Sequence, residues 1–142
     1  IVFYRGIGHY YLKNGERAAA DFAQAYQTDP QSLYTQIGQA LRLHITKQTA
    51  QGLELLQAIE QQAEQQKVTD AEALYKVAQA YAELGDKAAA LRLLRRSIEG
   101  GFFCYPYFAN DPLLNNLRSE AEFTTLLATA RQRHEDFRRR FF

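Results

Sequence analysis

Residues 74–98 read LYKVAQAYAELGDKAAALRLLRRSI, and this stretch decides the fold. Apolar residues recur every three or four positions on both sides of Gly85-Asp86, which is the spacing of an amphipathic helix. Glycine readily ends a helix and aspartate readily begins one, so the dipeptide predicts a tight turn between two helices. Neither helix can bury its apolar stripe alone. The stretch therefore predicts an antiparallel helical hairpin that packs against neighbouring hairpins.

The same pattern occurs in two earlier stretches of the chain. The first helix of each predicted hairpin carries four spaced residues in the same order: large, aliphatic, small and large. A second pattern follows on the partner helix. We expect the small residues to lie where two helices cross, because a small side chain lets the helices approach closely. The first-helix sets are Tyr4, Ile7, Gly8 and Tyr11; Tyr34, Ile37, Gly38 and Leu41; and Leu74, Val77, Ala78 and Tyr81. The second-helix sets are Ala18, Phe22 and Ala25; Gly52, Leu56 and Ile59; and Ala90, Leu94 and Ser97.

These residues resemble the tetratricopeptide repeat (TPR), a family of stacked helical hairpins. The resemblance implies an all-α, right-handed superhelical array of three TPR-like hairpins at about 1–30, 31–68 and 69–100, with a protein-binding function. The second hairpin lacks the turn glycine, and the first is slightly short if Ala18 rather than Ala20 is its crossing residue. The third unit matches best, through Leu74, Ala78, Tyr81, Gly85, Ala90 and Leu94. The first unit keeps Gly8, Tyr11, Gly15, Phe22 and Pro30.

Capping signals divide the chain into eight predicted helices. Residues 101–142 should hold an aromatic loop, a short helix and a long helix that caps the array. This tail is similar to the C-terminal ends of repeat regions in bacterial multidomain signalling proteins, which pair such arrays with a kinase, a cyclase or a winged-helix domain. The signals are Asp29-Pro30, Thr69 with Glu72, Asp86, Asp111-Pro112 and Ser119 with Glu122. The predicted helices are 2–13, 17–28, 31–45, 49–66, 70–84, 87–99, 111–118 and 120–139. The apolar face of the capping helix is Phe123, Leu126, Leu127, Ala130, His134 and Phe137.

Composition and motifs exclude several classes of function. The 142 residues carry 17 Lys and Arg against 16 Asp and Glu, so no overall charge points to nucleic acid. No apolar run approaches the roughly 20 residues of a membrane span. The single cysteine excludes an internal disulfide and a cysteine-based zinc site. We find no histidine pair at metal-binding spacing, no nucleophile turn and no glycine-rich phosphate loop, so we expect neither an enzyme, a metal nor a cofactor. The arginine-rich C-terminus favours a solvated helix end over a contact with nucleic acid or acidic lipid.

The resemblance places a binding groove on the first helix of each hairpin. Its polar residues suit an extended peptide with acidic or polar groups, since amides bond a backbone and Arg or Lys pairs a carboxylate. Some members of the family clamp a terminal carboxylate with Lys and Asn. Arg5 and His9 replace such a pair here and Glu72 replaces another Lys, which argues against that specificity. The predicted groove residues are Arg5, His9, Lys13, Gln36, Gln39, Arg42, Tyr75, Lys76, Gln79 and Glu83.

The sequence therefore predicts a non-catalytic protein–protein interaction module that binds a peptide or partner segment. The chain starts in mid-pattern without methionine, so we expect it to belong to a larger regulatory protein. A sensor of a small acidic ligand, coupled to an N-terminal effector, is one alternative. Self-association as a homodimer through Ile1, Val2 and Phe3 is another. The lone Cys104 fits the cytoplasm, while an upstream membrane anchor would fit the periplasm.

Overall fold

A computed structural model describes residues 1–67 and 70–142 of the chain. These residues form eight α-helices and one 3₁₀ helix, with no β-strand among them, and the predicted all-α class is confirmed. The helices are α1 (Val2–Tyr11), α2 (Gly15–Thr28), α3 (Leu33–Ile45), α4 (Thr49–Gln65), α5 (Ala71–Leu84), α6 (Lys87–Glu99), α7 (Tyr105–Asn110) and α8 (Ala121–Phe141); the 3₁₀ helix is Pro112–Leu117.

Several helix ends follow directly from local sequence. Gly85 ends α5 with a φ of 95°, a left-handed conformation that glycine adopts without steric cost. Asp86 then caps α6 by accepting a hydrogen bond from the amide of Ala89, as the sequence predicts. Asp70 caps α5 by accepting from the amides of its first turn. The capping box that we expected at Thr69 lies outside the described residues.

Two predicted caps are wrong. Asp29 follows the end of α2, and its carboxylate accepts from the amide of Ser32 within the connecting turn. The residue therefore stabilises the turn, and α3 begins only at Leu33. Before α8 the N-cap position belongs to Glu120 instead of Ser119, and the side chain of Glu120 makes no capping hydrogen bond to the described residues of that helix.

The chain divides into two compact units, residues 1–68 and 69–142. The first unit contains α1–α4, and Phe22 of α2 lies fully buried at its centre. A Cβ atom added to Gly6 would lie 2.7 Å from the Phe22 ring, and one added to Gly38 would lie 2.9 Å from it. Both glycines are therefore needed for the close approach of α1 and α3 to this ring.

Gly38 lies at a helix contact as expected, but the atoms nearest to an added Cβ belong to Phe22 of α2 and Phe3 of α1 instead of its partner helix α4. The contact expected at Gly8 is wrong. Gly8 is exposed, and a Cβ added to it would meet no atom of the described residues within 4 Å. The glycine of α1 that packs against α2 is Gly6, which lies on a different side of the helix from Gly8. The interval from Gly6 to Ala18 equals the interval from Ala78 to Ala90 in the third predicted hairpin. With Gly6 as its crossing residue, the first hairpin is therefore no shorter than the third.

The second unit contains α5–α8 and the 3₁₀ helix, so the third predicted hairpin and the C-terminal segment share one unit. Helix α8 packs against α6 and α7. Phe123, Leu126 and Ala130 of its predicted apolar face are buried, whereas Phe137 is 45% exposed. Helix α7, which we expected to be part of a loop, has Pro106 in its first turn, where the missing amide hydrogen costs no helical bond.

Candidate functional site

Three of the predicted groove residues on α5 are buried. Tyr75 is fully buried, Lys76 is 6% exposed and Gln79 is 2% exposed. The rest of the second unit covers them with residues 102–117, which comprise α7, the 3₁₀ helix and the residues before them; we call these residues the covering segment. Glu83, one turn beyond Gln79, stays half-buried.

A carboxylate anchors the covering segment to α5. The hydroxyl of Tyr75 and the side-chain amide of Gln79 each donate to Oδ2 of Asp111 at 2.5 Å. Oδ1 of Asp111 accepts from the amide of Leu113 at 3.0 Å and so caps the 3₁₀ helix. Asp111 is only 1% exposed, and a buried carboxylate needs such partners to offset its lost hydration.

Aromatic rings complete this contact. Tyr75 stacks on Phe108 with a centroid separation of 4.7 Å, and Phe102 lies 5.2 Å from Tyr75. The ammonium group of Lys76 lies 5.6 Å from the centroid of the Tyr107 ring, within range of a cation–π interaction. In this structure, the chain itself thus occupies the α5 face on which we expected a partner.

Two predicted groove residues on α1 converge on α2. Arg5 donates from Nε and one terminal nitrogen to the two oxygens of Asp21, at 2.9 and 2.7 Å. Nε2 of His9 lies 3.9 Å from Oδ2 of the same carboxylate. The hydrogen bonds and charge of Arg5 lower the pKa of Asp21, and those of Asp21 raise the pKa of Arg5. This cluster ties α1 to α2. The third predicted groove residue of the first hairpin, Lys13, lies after the end of α1. Its φ is positive, at 57°, and the residue is exposed.

An exposed face remains on α1. Tyr4, Gly8 and Leu12 recur at every fourth position and so share one side of the helix. Tyr4 is 50% exposed and Leu12 is 78% exposed. The Tyr4 ring lies 6.1 Å from that of Tyr34, so this side of α1 adjoins α3.

Helix α3, which packs against α1, carries the predicted groove residues Gln36, Gln39 and Arg42. Gln39 accepts from the guanidinium of Arg42 at 3.4 Å, and both side chains are half-buried. Gln36 instead donates to the carbonyl of Pro30 at 3.0 Å and borders a separate cleft with Gln62 of α4 and Gln66, which follows that helix. We call Tyr4, Gly8, Leu12, Gln39 and Arg42 the α1/α3 face.

The sequence predicts that the aromatic residues after Gly101 attach this segment to the hairpins, and their contacts with Tyr75 agree with that, but it does not predict that the segment covers the α5 groove residues, nor the role of Asp21. The available signals were the five aromatics of residues 102–108 and a single carboxylate in the apolar stretch AAADFA, residues 18–23. No three His, Cys, Asp or Glu side chains in the described part of the chain are placed to hold a metal ion. Among residues 1–67 and 70–142, no helix combines the length and apolar character of a bilayer crossing. Comparisons with family models, curated proteins and solved structures found no match.

Proposed function

We propose that the chain is a non-catalytic interaction module of a larger regulatory protein, and that it binds an extended peptide or partner segment on the α1/α3 face. The observation that carries this proposal is the open position of Gly8. Glycine inside a helix costs about 1 kcal/mol relative to alanine. The packing around Phe22 explains Gly6 and Gly38, but no neighbouring atom in residues 1–67 or 70–142 explains Gly8. A partner main chain that crosses α1 at close range explains it, because only glycine leaves that space open.

The chemistry around Gly8 fits a peptide. The exposed side chains of Tyr4 and Leu12 offer apolar contacts on either side of the glycine. Gln39 can bond a peptide backbone, and the guanidinium of Arg42 can pair with a carboxylate. The favoured ligand is therefore an extended segment with an apolar residue near an acidic one.

The second unit offers an internal parallel. Gln39 follows the small residue Gly38, and Gln79 follows the small residue Ala78 in the third hairpin. Gln79 donates to the carboxylate of Asp111, which belongs to a segment of the same chain. An acidic peptide bound at Gln39 would repeat that contact with a ligand from outside.

We also propose a TPR-like identity for the hairpins. The interval from Gly6 to Ala18 equals the interval from Ala78 to Ala90, and this equality supports a repeated unit. The interval from Gly38 to Gly52 is longer than both, which makes the second hairpin the divergent one.

The test is a selection of peptides from a random displayed library, followed by affinity measurements on variants. Gly8→Ala and Arg42→Ala should each weaken the selected peptides about tenfold, because each removes a central contact. Arg17→Ala is the matched control, since Arg17 is an exposed arginine on α2 outside the face. Peptides that bind all three variants like the wild type, or a selection that yields no peptide, would refute the proposal.

A further inference from the structure

The apolar stripe of α8 continues beyond the part of the helix that is covered. Phe123, Leu126 and Ala130 on this stripe are buried. Phe137 and Phe141 follow Ala130 by about two and about three helical turns, which places them on the same side of the helix. They are nevertheless 45% and 61% exposed. The last turns of α8 thus present an apolar face with little cover.

Phe103 joins these rings at a shallow depression. Its ring lies 6.3 Å from that of Phe137, and the Phe137 and Phe141 rings lie 4.8 Å apart. Three aromatic rings therefore lie side by side at this depression. The residues that line the depression are Phe103, Arg133, Asp136, Phe137, Arg140 and Phe141.

The edge of the depression is basic. Residues 131–142 contain five arginines but only two acidic side chains. Both of these carboxylates are already paired, Glu135 with Arg131 at 2.8 Å and Asp136 with Arg139 at 2.7 Å. Within the part of the chain that the structure describes, Arg138 and Arg140 take part in no ion pair. Arg140 lines the depression, so its positive charge is available to a ligand there.

We infer that this depression binds an acidic amphipathic segment of a partner protein, with apolar side chains on the phenylalanines and a carboxylate on Arg140. An anionic membrane fits less well, because the surface is concave and Asp136 lies on its edge. A second copy of the chain also fits less well, because a symmetric contact would bring the same arginines together. This second site is independent of the α1/α3 face.

The probe is a fluorescent amphipathic peptide with Leu and Phe on one helical face and Glu on the other. Phe141→Ala and Arg140→Glu should each weaken its binding about tenfold. Arg138→Glu is the matched control, because it changes the net charge equally but lies outside the depression. Salt screens a general attraction between exposed charges, so we expect Arg138→Glu to change the affinity about twofold or less. Gly8→Ala should leave this binding unchanged, which separates the two sites.

Four results would overturn the inference. Arg138→Glu and Arg140→Glu could weaken the peptide equally, which indicates attraction by net charge alone. The Glu peptide could fail to bind at millimolar concentration. Vesicles of phosphatidylserine and phosphatidylcholine could bind the chain in place of the peptide. Sedimentation could reveal a dimer that Phe141→Ala dissociates.

Discussion

Alanine substitutions at Gly6 and Gly8 should have opposite effects on stability. The two glycines lie on the same helix, separated only by Ile7, and the chemical change is identical. A Cβ at position 6 would lie 2.7 and 2.8 Å from two carbons of the Phe22 ring, and 3.2 Å from Cβ of Asp21. Ordinary carbon contacts are about 3.5–4.0 Å, so the ring would have to move by nearly 1 Å.

Phe22 has little room for that movement, because it is fully buried and Gly38 also lies close to its Cδ1 atom. Overpacking of this kind costs about 1–3 kcal/mol, and the closeness of the contact favours the upper end. The better helix propensity of alanine returns about 1 kcal/mol. We therefore expect Gly6→Ala to lower the free energy of unfolding by about 2 kcal/mol. The methyl group of Gly8→Ala would meet no atom in the described part of the chain, so this substitution should raise the free energy of unfolding by about 0.5–1 kcal/mol.

Urea unfolding followed by far-ultraviolet circular dichroism measures both changes, provided that the slope with denaturant stays constant. Hydrogen exchange of the amides in α1–α3 assigns the change to the first unit. A destabilising Gly8→Ala would show that Gly8 is packed against a neighbour, and the argument for the α1/α3 face would fail. Equal effects of the two substitutions would contradict the position of Phe22.

Four further substitutions test the rest of the structure. Arg5 lowers the pKa of folded Asp21 below its ordinary value of about 3.8, so the ionised carboxylate stabilises the fold above that pH. This contribution should disappear as the pH falls through the lowered pKa, and acid titrations of Asp21→Asn should show a shallower loss of stability than the wild type. Asp111→Ala should cost about 3 kcal/mol in urea unfolding, because it leaves buried donors such as the Tyr75 hydroxyl unsatisfied; Tyr75→Phe, which removes one donor, should cost about 1 kcal/mol. Phe108→Ala should cost about 4 kcal/mol by the same measurement, because the ring is 1% exposed and stacked.

Local signals were sufficient for much of the fold. Gly85 and Asp86 act through their own backbone and side chain, so the sequence predicts their turn correctly. The crossing glycine of α1 was assigned wrongly because α1 contains both Gly6 and Gly8. The choice between them depends on the Phe22 ring of another helix, which periodicity along α1 does not reveal.

The candidate site was less predictable for a similar reason. A lysine such as Lys76 is normally placed at the surface, yet here an aromatic segment from much later in the chain covers it. Helix α7 is a single short segment, Tyr105–Asn110, in which a helical period does not stand out. Arg5 and His9 have the spacing of one helix face, but their engagement with Asp21 depends on how α1 and α2 pack.

The position of one phenylalanine between two glycines also constrains how the chain can evolve. Positions 6, 22 and 38 share a single volume, so a change at one restricts the others. A smaller residue in place of Phe22 leaves a void that a methyl group at position 6 or 38 can partly fill. Diverging descendants of this gene should therefore exchange these three residues in concert, and the double variant Phe22→Leu with Gly6→Ala should be more stable than the sum of its single changes implies.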